Sequence, residues 1–130
     1  MRISRSTTYA LLAVDYITHH QDEKIILSQD ISKQYNIPLE YLLKILQQLV
    51  RANILRSKRG PHGGFSLAKS AKNTSMLQII EAVEGPMTGE LNLAEQKGVK
   101  RFAARAEKVY KKAIAKAKAV FTKTKLSDLM

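Results

Sequence analysis

Residues 28–67 read SQDISKQYNIPLEYLLKILQQLVRANILRSKRGPHGGFSL, and this stretch decides the fold. Ser28 suits a helix N-cap, because its hydroxyl can accept from a free first-turn N–H, and Asp30 is well placed against the helix dipole. The helix predicted from there runs to about Tyr35, where Asn36 suits a helix end. Pro38 fits the first position of a second helix, where its missing N–H costs nothing. Leu39, Leu42, Leu46, Leu49 and Val50 then share one face, and Asn53 closes the run. A short helix, a turn of about three residues and a longer helix have helix-turn-helix spacing. The period then changes. Ile54-Leu55-Arg56-Ser57-Lys58 and Phe65-Ser66-Leu67-Ala68 are short strand candidates on either side of the Gly/Pro-rich turn 59–64. A hairpin in that place makes a winged helix.

Upstream, residues 6–20 carry Tyr9, Leu12, Ala13, Tyr16 and Ile17 at helical spacing, with Ser6 or Thr7 as cap. Downstream, Ser75 and Gln78 form a capping box for a helix over 75–84 with Leu77, Ile80 and Val83 as its stripe. Gly85-Pro86 is a stop signal. Residues 86–98 read as a loop. From Val99 the pattern returns as Val99, Phe102, Ala103, Ala106, Val109, Tyr110, Ala113, Ala117, Val120 and Phe121, one long amphipathic helix. The expected fold class is mainly α with a small β-hairpin wing. It divides into a winged helix-turn-helix unit over 1–85, a loop over 86–98, a long basic amphipathic helix over 99–123 and a tail over 124–130. So long a helix beside so small a core is expected to pack its stripe on a partner helix, a symmetric homodimer being the commonest solution. The alternative is packing back on the chain's own N-terminal helix.

The 130 residues hold 22 Lys and Arg against 11 Asp and Glu, a formal net charge of +11. The surplus is uneven. Residues 1–96 carry 11 basic and 9 acidic side chains, a net of +2, and residues 97–130 carry 11 and 2, a net of +9. A smaller cluster, Arg51, Arg56, Lys58, Arg59, Lys69 and Lys72, has no acid within it. Such clusters suit either a solubilising surface or a polyanionic partner, most often nucleic acid. The absence of cysteine excludes disulfides, thiol chemistry and Cys-ligated zinc or iron–sulfur clusters. No apolar run approaches the roughly 20 residues that span a bilayer. Met1-Arg2-Ile3-Ser4-Arg5 opens like a signal peptide, but Asp15 interrupts the apolar segment, so a cytoplasmic protein with no membrane partner is expected. No nucleophile elbow, Walker Gly-Lys-Ser/Thr or His–carboxylate constellation points to an enzyme. His19 and His20 project about 100° apart on a helix and chelate poorly, so neither a metal nor another cofactor is expected. Tyr9 and Tyr16 read as core.

Several of these residues carry a specific resemblance. Met1, Arg2 and Ser4 with Tyr9-Ala10-Leu11, then Asp30-Ile31-Ser32, Tyr41-Leu42, and Arg59-Gly60-Pro61-x-Gly63-Gly64-Phe65-x-Leu67 resemble the Rrf-two family of bacterial winged-helix regulators, of the IscR, NsrR and CymR type. The closing Lys125-Leu126-Ser127-Asp128-Leu129 is similar to that family's Thr-Leu-x-Asp/Glu-Leu ending. The resemblance implies a homodimeric DNA-binding repressor or activator. Its second helix-turn-helix helix would enter the major groove, its wing the minor groove, and its C-terminal helices would cross. The departure is equally specific. Many members hold an iron–sulfur cluster on three cysteines after the 75–84 helix. Residues 86–106 here have none, and Glu107 lies where a member can supply a histidine.

Candidate DNA contacts follow. The second helix should expose Pro38, Glu40, Tyr41, Lys44, Gln47 and Gln48. Glu can accept from cytosine N4, Gln can pair with adenine, and Tyr or Lys can reach phosphate or base edges; the bland alternative is a solvated helix face. Leu43, off the stripe, is assigned to the core, with a thymine methyl as alternative. Arg59 at the wing tip fits a narrow A·T minor groove, Gly60 permits close approach, and Ser57, Lys58 and His62 support it on phosphates. Arg2, Ser4 and Arg5 beside the first helix are further phosphate contacts, and Ser28 is grouped with them. The candidate dimer residues are Val99, Phe102, Ala106, Val109, Tyr110, Ala113, Ala117, Val120 and Phe121. The expected function is a sequence-specific DNA-binding transcriptional regulator, in the repressor mode, acting on double-stranded DNA as a homodimer without an iron–sulfur cluster. The alternative is a winged-helix protein that binds nucleic acid without sequence preference or docks a partner. For the Lys-rich helix the choices are a solvated surface, contact with DNA flanks or RNA, an acidic partner, or, last, a membrane surface.

Overall fold

A computed structural model describes residues 3–23, 26–58, 64–91, 93 and 97–130. The elements are α1 (Arg5–His19), α2 (Ser28–Tyr35), α3 (Leu39–Arg51), β1 (Leu55–Lys58), β2 (Gly64–Leu67), α4 (Met76–Glu84) and α5 (Lys100–Lys123), with 3-10 turns at Ala71–Asn73 and Leu126–Leu129. β1 and β2 pair antiparallel, Leu55 opposite Leu67 and Lys58 opposite Gly64. This is the mainly α, winged helix-turn-helix architecture that the sequence predicts.

The turn between α2 and α3 falls where the sequence places it, except that Pro38 is the N-cap of α3, at ψ 126°, and Leu39 its first helical residue. Asn36 takes the left-handed conformation at φ 54°. The Ser32 hydroxyl donates to the Ile37 carbonyl (2.5 Å) and the Ile37 N–H donates back to the Ser32 carbonyl (3.0 Å), closing the corner. Ile37 is buried there. On α3, Leu42, Ile45, Leu46 and Leu49 are buried against α1, α2 and α4. Asn53 follows α3 at φ 60°, and the Ile54 N–H donates to the Leu49 carbonyl, leading the chain into β1.

Further expectations are corrected. Ser28 is not the N-cap of α2 but its first residue, with extended Leu27 before it and no side-chain cap. The Ile26 carbonyl accepts from the Phe65 N–H of the hairpin (3.0 Å), so the chain stays extended one residue longer. At α1 the N-cap is Ser4 rather than Ser6 or Thr7; its partner is described below. On α4 the capping box of Ser75 and Gln78 forms as read, but Ile79 is fully buried beside Ile80, while Leu77 and Val83 are half-covered. α4 packs on α1 and α3 on one side and on α5 on the other, so no single stripe describes it. Leu43 stands 37% exposed, outside the core.

α5 also has two apolar faces where one stripe was expected. Ala103 and Ile114 are buried, with Tyr110, Ala117 and Phe121 half-buried on the same side. Phe102, Val109 and Val120 lie about 100° round the helix and are 68%, 69% and 61% exposed. The tail returns to the body, because the Leu126 N–H donates to the Thr74 carbonyl and the Met76 N–H to the Thr124 carbonyl, both at 2.8 Å.

Leu46, fully buried at the centre of α3, provides a test of this packing. Leu46→Ala is expected to lose about 2–5 kcal/mol of unfolding free energy, measured by urea titration; a loss below about 1 kcal/mol would contradict a close-packed α3.

Candidate nucleic-acid interface

With its Leu/Ile face inward, α3 presents Pro38, Glu40, Tyr41, Lys44, Gln47 and Arg51 to solvent, with Gln48 half-buried at the edge. At 3.6 residues per turn, Glu40, Lys44, Gln47 and Arg51 line the outermost ridge. Arg51 completes this ridge although it was counted only within the basic cluster. Its four-residue offset from Gln47 was the available signal. Leu43 flanks the same ridge as an exposed apolar group, of the kind that can meet a thymine methyl.

The ridge continues into a cleft lined by Gln47, Val50, Arg51, Ser57, Lys58, Gly64 and Phe65, where the end of α3 meets the neck of the hairpin. Ser57 and Lys58 from the expected set therefore stand beside Gln47. Pairing sets Lys58 against Gly64 at the last described rung. Arg59, Gly60 and His62, and Arg2 at the N-terminus, fall outside the described residues. Ser28, half-buried at the start of α2, presents less of itself than the α3 residues do.

The N-terminal end of α1 joins the other flank of α3. Ser6 Oγ and the Tyr41 hydroxyl lie 2.6 Å apart, and the Tyr9 and Tyr41 rings meet edge to face with centroids 5.6 Å apart. Arg5, Tyr9, Pro38 and Tyr41 line a second shallow cleft there. Tyr41 is thus an oriented side chain with its hydroxyl engaged, and Arg5 is brought beside the start of the recognition ridge.

What fixes this end of α1 is a residue 80 positions away. Glu84 Oε1, at the end of α4, accepts from the Ser4 N–H (3.0 Å), from the Ser4 hydroxyl and from the Thr7 hydroxyl (2.6 Å). The carboxylate performs the capping that a side chain of α1 itself would otherwise perform, and it meets the positive end of the helix dipole. The hydroxyl bonds from Ser4 and then Thr7 hold its carboxyl below the ordinary value of 4.5, desolvation opposing them in part. No local motif announces such a partner, and the sequence reading did not find it.

At the opposite end of α1, His19 Nδ1 lies 3.0 Å from both the Asp15 carbonyl and the Asp15 carboxylate, while His20 Nδ1 lies 2.7 Å from the Tyr16 carbonyl. The His20 ring stacks on Tyr16 at 3.9 Å. Among the described residues no group of three or more His, Cys, Asp or Glu could hold a metal ion, and no helix is long and apolar enough to cross a membrane.

A depressed carboxyl adds stability that is full above its unfolded value and is lost as pH falls through its folded one. Replacing Glu84 by Gln should therefore lower stability at pH 7 by at most about 1 kcal/mol, the group being solvent-screened. It should also flatten the acid side of the stability curve below about pH 4.5. Thermal unfolding from pH 3 to 7 measures both, and parallel curves for the two proteins would reject the Glu84 cap.

Residues 3–130 match the Rrf2 family, described as an iron-dependent transcriptional regulator. The chain is 38% identical over 84 residues to the putative HTH-type transcriptional regulator BadM of Rhodopseudomonas palustris, and 34% identical over 86 residues to the HTH-type transcriptional regulator IscR of Cereibacter sphaeroides. Each match covers 65% of this chain but only 53% and 56% of the relative, so the chain spans about half the length of these proteins. In fold it is similar to CymR (YrzC), the global cysteine regulator of B. subtilis, with a TM-score of 0.80 at 24% identity, covering 99% of this chain and 95% of that one. The family description names iron, and a Cys-held iron centre needs thiolates, of which this chain has none. By its match from end to end and its winged-helix fold, the chain belongs to the Rrf2 family of transcriptional regulators.

Proposed function

We propose that this chain is a sequence-specific DNA-binding transcriptional regulator that works as a homodimer in the repressor mode, in the cytoplasm and without an iron–sulfur cluster. The observation that carries this reading is the ridge Glu40–Lys44–Gln47–Arg51 running into the Gln47/Ser57/Lys58 cleft. A helix with carboxylate, ammonium, amide and guanidinium groups on one outward line can enter a major groove and sort base edges. The basic neck beside it can hold phosphate.

In this reading the residues have distinct tasks. Gln47 and Glu40 read base edges, and Lys44 and Arg51 take phosphate or guanine. Arg5, Ser57 and Lys58 set the register on the backbone. Arg59, with Gly60 and His62, is assigned to the adjacent minor groove, as the resemblance implies. Unit 1–85 is the reading head, and α5 joins two heads. Support for the homodimer comes from the outward row Phe102, Val109, Ala113 and Val120 on α5. Burying each large member of that row is worth about 1.5–3 kcal/mol, and a second copy of the same row can cover it under two-fold symmetry.

Selection of bound fragments from sheared genomic DNA at about 0.15 M salt is expected to yield a motif with dyad symmetry, its half-sites one or more helical turns apart. Gln47→Ala should weaken the selected site by about 1–3 kcal/mol with relaxed preference at one position per half-site. Arg59→Ala should weaken A·T preference at the flanks. Uniform genomic coverage by the wild type would sink the sequence-specific reading.

The dimer has its own test. Val109→Asp is expected to halve the solution mass measured by light scattering and to lower operator affinity at least tenfold. An unchanged dimer mass would exclude the Phe102/Val109/Val120 row as the interface.

A further inference from the structure

The cations of α5 are not spread round the helix. Successive residues turn by about 100°, which brings Arg101, Arg105, Lys108, Lys112, Lys116 and Lys123 onto one stripe; all six are exposed. Among the described residues none of them has a carboxylate within 4.0 Å, the α5–α4 ion pair being made by Lys118 with Glu81. The stripe runs about 33 Å at 1.5 Å per residue, close to one turn of a DNA duplex.

Its direction separates it from the reading head. The centre of the stripe lies nearly opposite the face that buries Ala103 and Ile114. α4 lies between α5 and α3, and interaxial distances of packed helices are about 8–10 Å. A duplex seated on the outer ridge of α3 is therefore on the far side of the molecule from this stripe. The stripe also stands about 80° round from the Phe102/Val109/Val120 row, so a second copy seated on that row leaves much of it open.

The composition of the stripe selects its ligand. Protein interfaces are enriched in aromatic residues and Arg and depleted in Lys and Ala, whereas four of these six cations are Lys, with Ala115 and Ala119 interspersed. Single strands are held on stacked aromatic rings, and the stripe has none. A slim helix carrying one exposed cation per turn suits the dense, regular charge of a duplex, whose groove accepts a helix.

We propose that α5 carries a second, sequence-independent site for duplex DNA, so that one molecule bound through its reading heads can bridge to another DNA segment. This rests on the proposed DNA-reading function for its biological setting, but the site itself is separate. With about six phosphates neutralised, log affinity at this site should fall with log salt at a slope of about −5.

The test uses the full-length protein, a bead-bound duplex carrying the selected motif, and a free labelled duplex of unrelated sequence. The wild type is expected to capture the labelled duplex on the beads. A variant with Arg101, Arg105, Lys108 and Lys112 all changed to Gln should bind the bead duplex within about twofold of wild type and lose at least tenfold in capture. Its solution mass and unfolding midpoint are measured alongside; if the fourfold variant does not fold, Lys108→Glu with Lys112→Glu replaces it. Equal capture by wild type and stripe variant overturns the proposal. So does a wild type that binds the bead duplex but captures nothing, an outcome that leaves the reading head intact and turns the stripe toward an acidic protein. A wild type that binds neither duplex overturns the proposal and the DNA-reading function together.

Discussion

The structure depends on nine residues being covered from two directions. α4 has α1 and α3 on one side and α5 on the other, so it is the shared wall between the part that faces outward through α3 and the part that carries the charge. Ile79 belongs to the main core with Leu42, Ile45, Leu46 and Leu49, while Ile80, Ala103 and Ile114 are buried outside that cluster. A helix this short has little stability of its own, and both its ends are fixed by specific chemistry. Ser75 and Gln78 satisfy each other at the start, and Gly85, at φ 82°, turns the chain away at the end. Glu84 uses that last position to hold the first turn of α1.

The described part of the loop that follows is held to α5 by specific contacts. The Met87 N–H donates to Glu81 Oε2 at 2.7 Å, and that same oxygen lies 4.0 Å from Lys118 Nζ. Gly89 approaches α5 so closely that a Cβ there would lie 2.7 Å from the Lys111 Cα. A carboxylate, an ammonium and one side-chain-free position thus seat the described part of the segment on α5. In cluster-binding relatives the resemblance implies cysteines along this stretch. Among the described residues, the contacts found here are a hydrogen bond, an ion pair and one close backbone approach.

What could be read from sequence was what local chemistry decides. Asn36, Ser75 with Gln78, and Gly85 each act within a turn of themselves, and each stands where its side chain or its φ requires, while Pro38 is the N-cap of α3 and not its first helical residue. The inward row of α3 was legible at Leu42, Leu46 and Leu49, but Ile45, also buried, was missed, and Leu39 and Val50 are half-buried. Reading failed where the cause lay far away in the chain. Leu27 displaces Ser28 from the cap because a carbonyl 39 positions before Phe65 accepts its N–H. Ser4 begins α1 because of Glu84. Leu43 is apolar yet exposed, and apolarity alone had placed it inside. The two faces of α5 merged into one wide stripe, since residues 100° apart on a 24-residue helix are both apolar at near-helical spacing. Ile114, the buried residue at the middle of that helix, was missed for the same reason.

The unequal lengths of the two packed helices have a mechanical consequence. α4 and α5 run antiparallel, Met76 beside Thr124 and Glu81 beside Lys118, and α4 ends three residues later. The N-terminal half of α5 therefore extends beyond α4 by about 20 Å at 1.5 Å per residue, where Ala103 is buried and the loop after α4 lies against it at Gly89. It is a lever whose fulcrum, near Ile114, can act only if this loop moves with it. A rocking of about 10° at that fulcrum, within the scatter of ordinary helix packing angles, would sweep the Arg101 end through about 3–4 Å. In the proposed homodimer, two such arms joined at their apolar rows would translate a small tilt at either base into a change in the distance between their bodies.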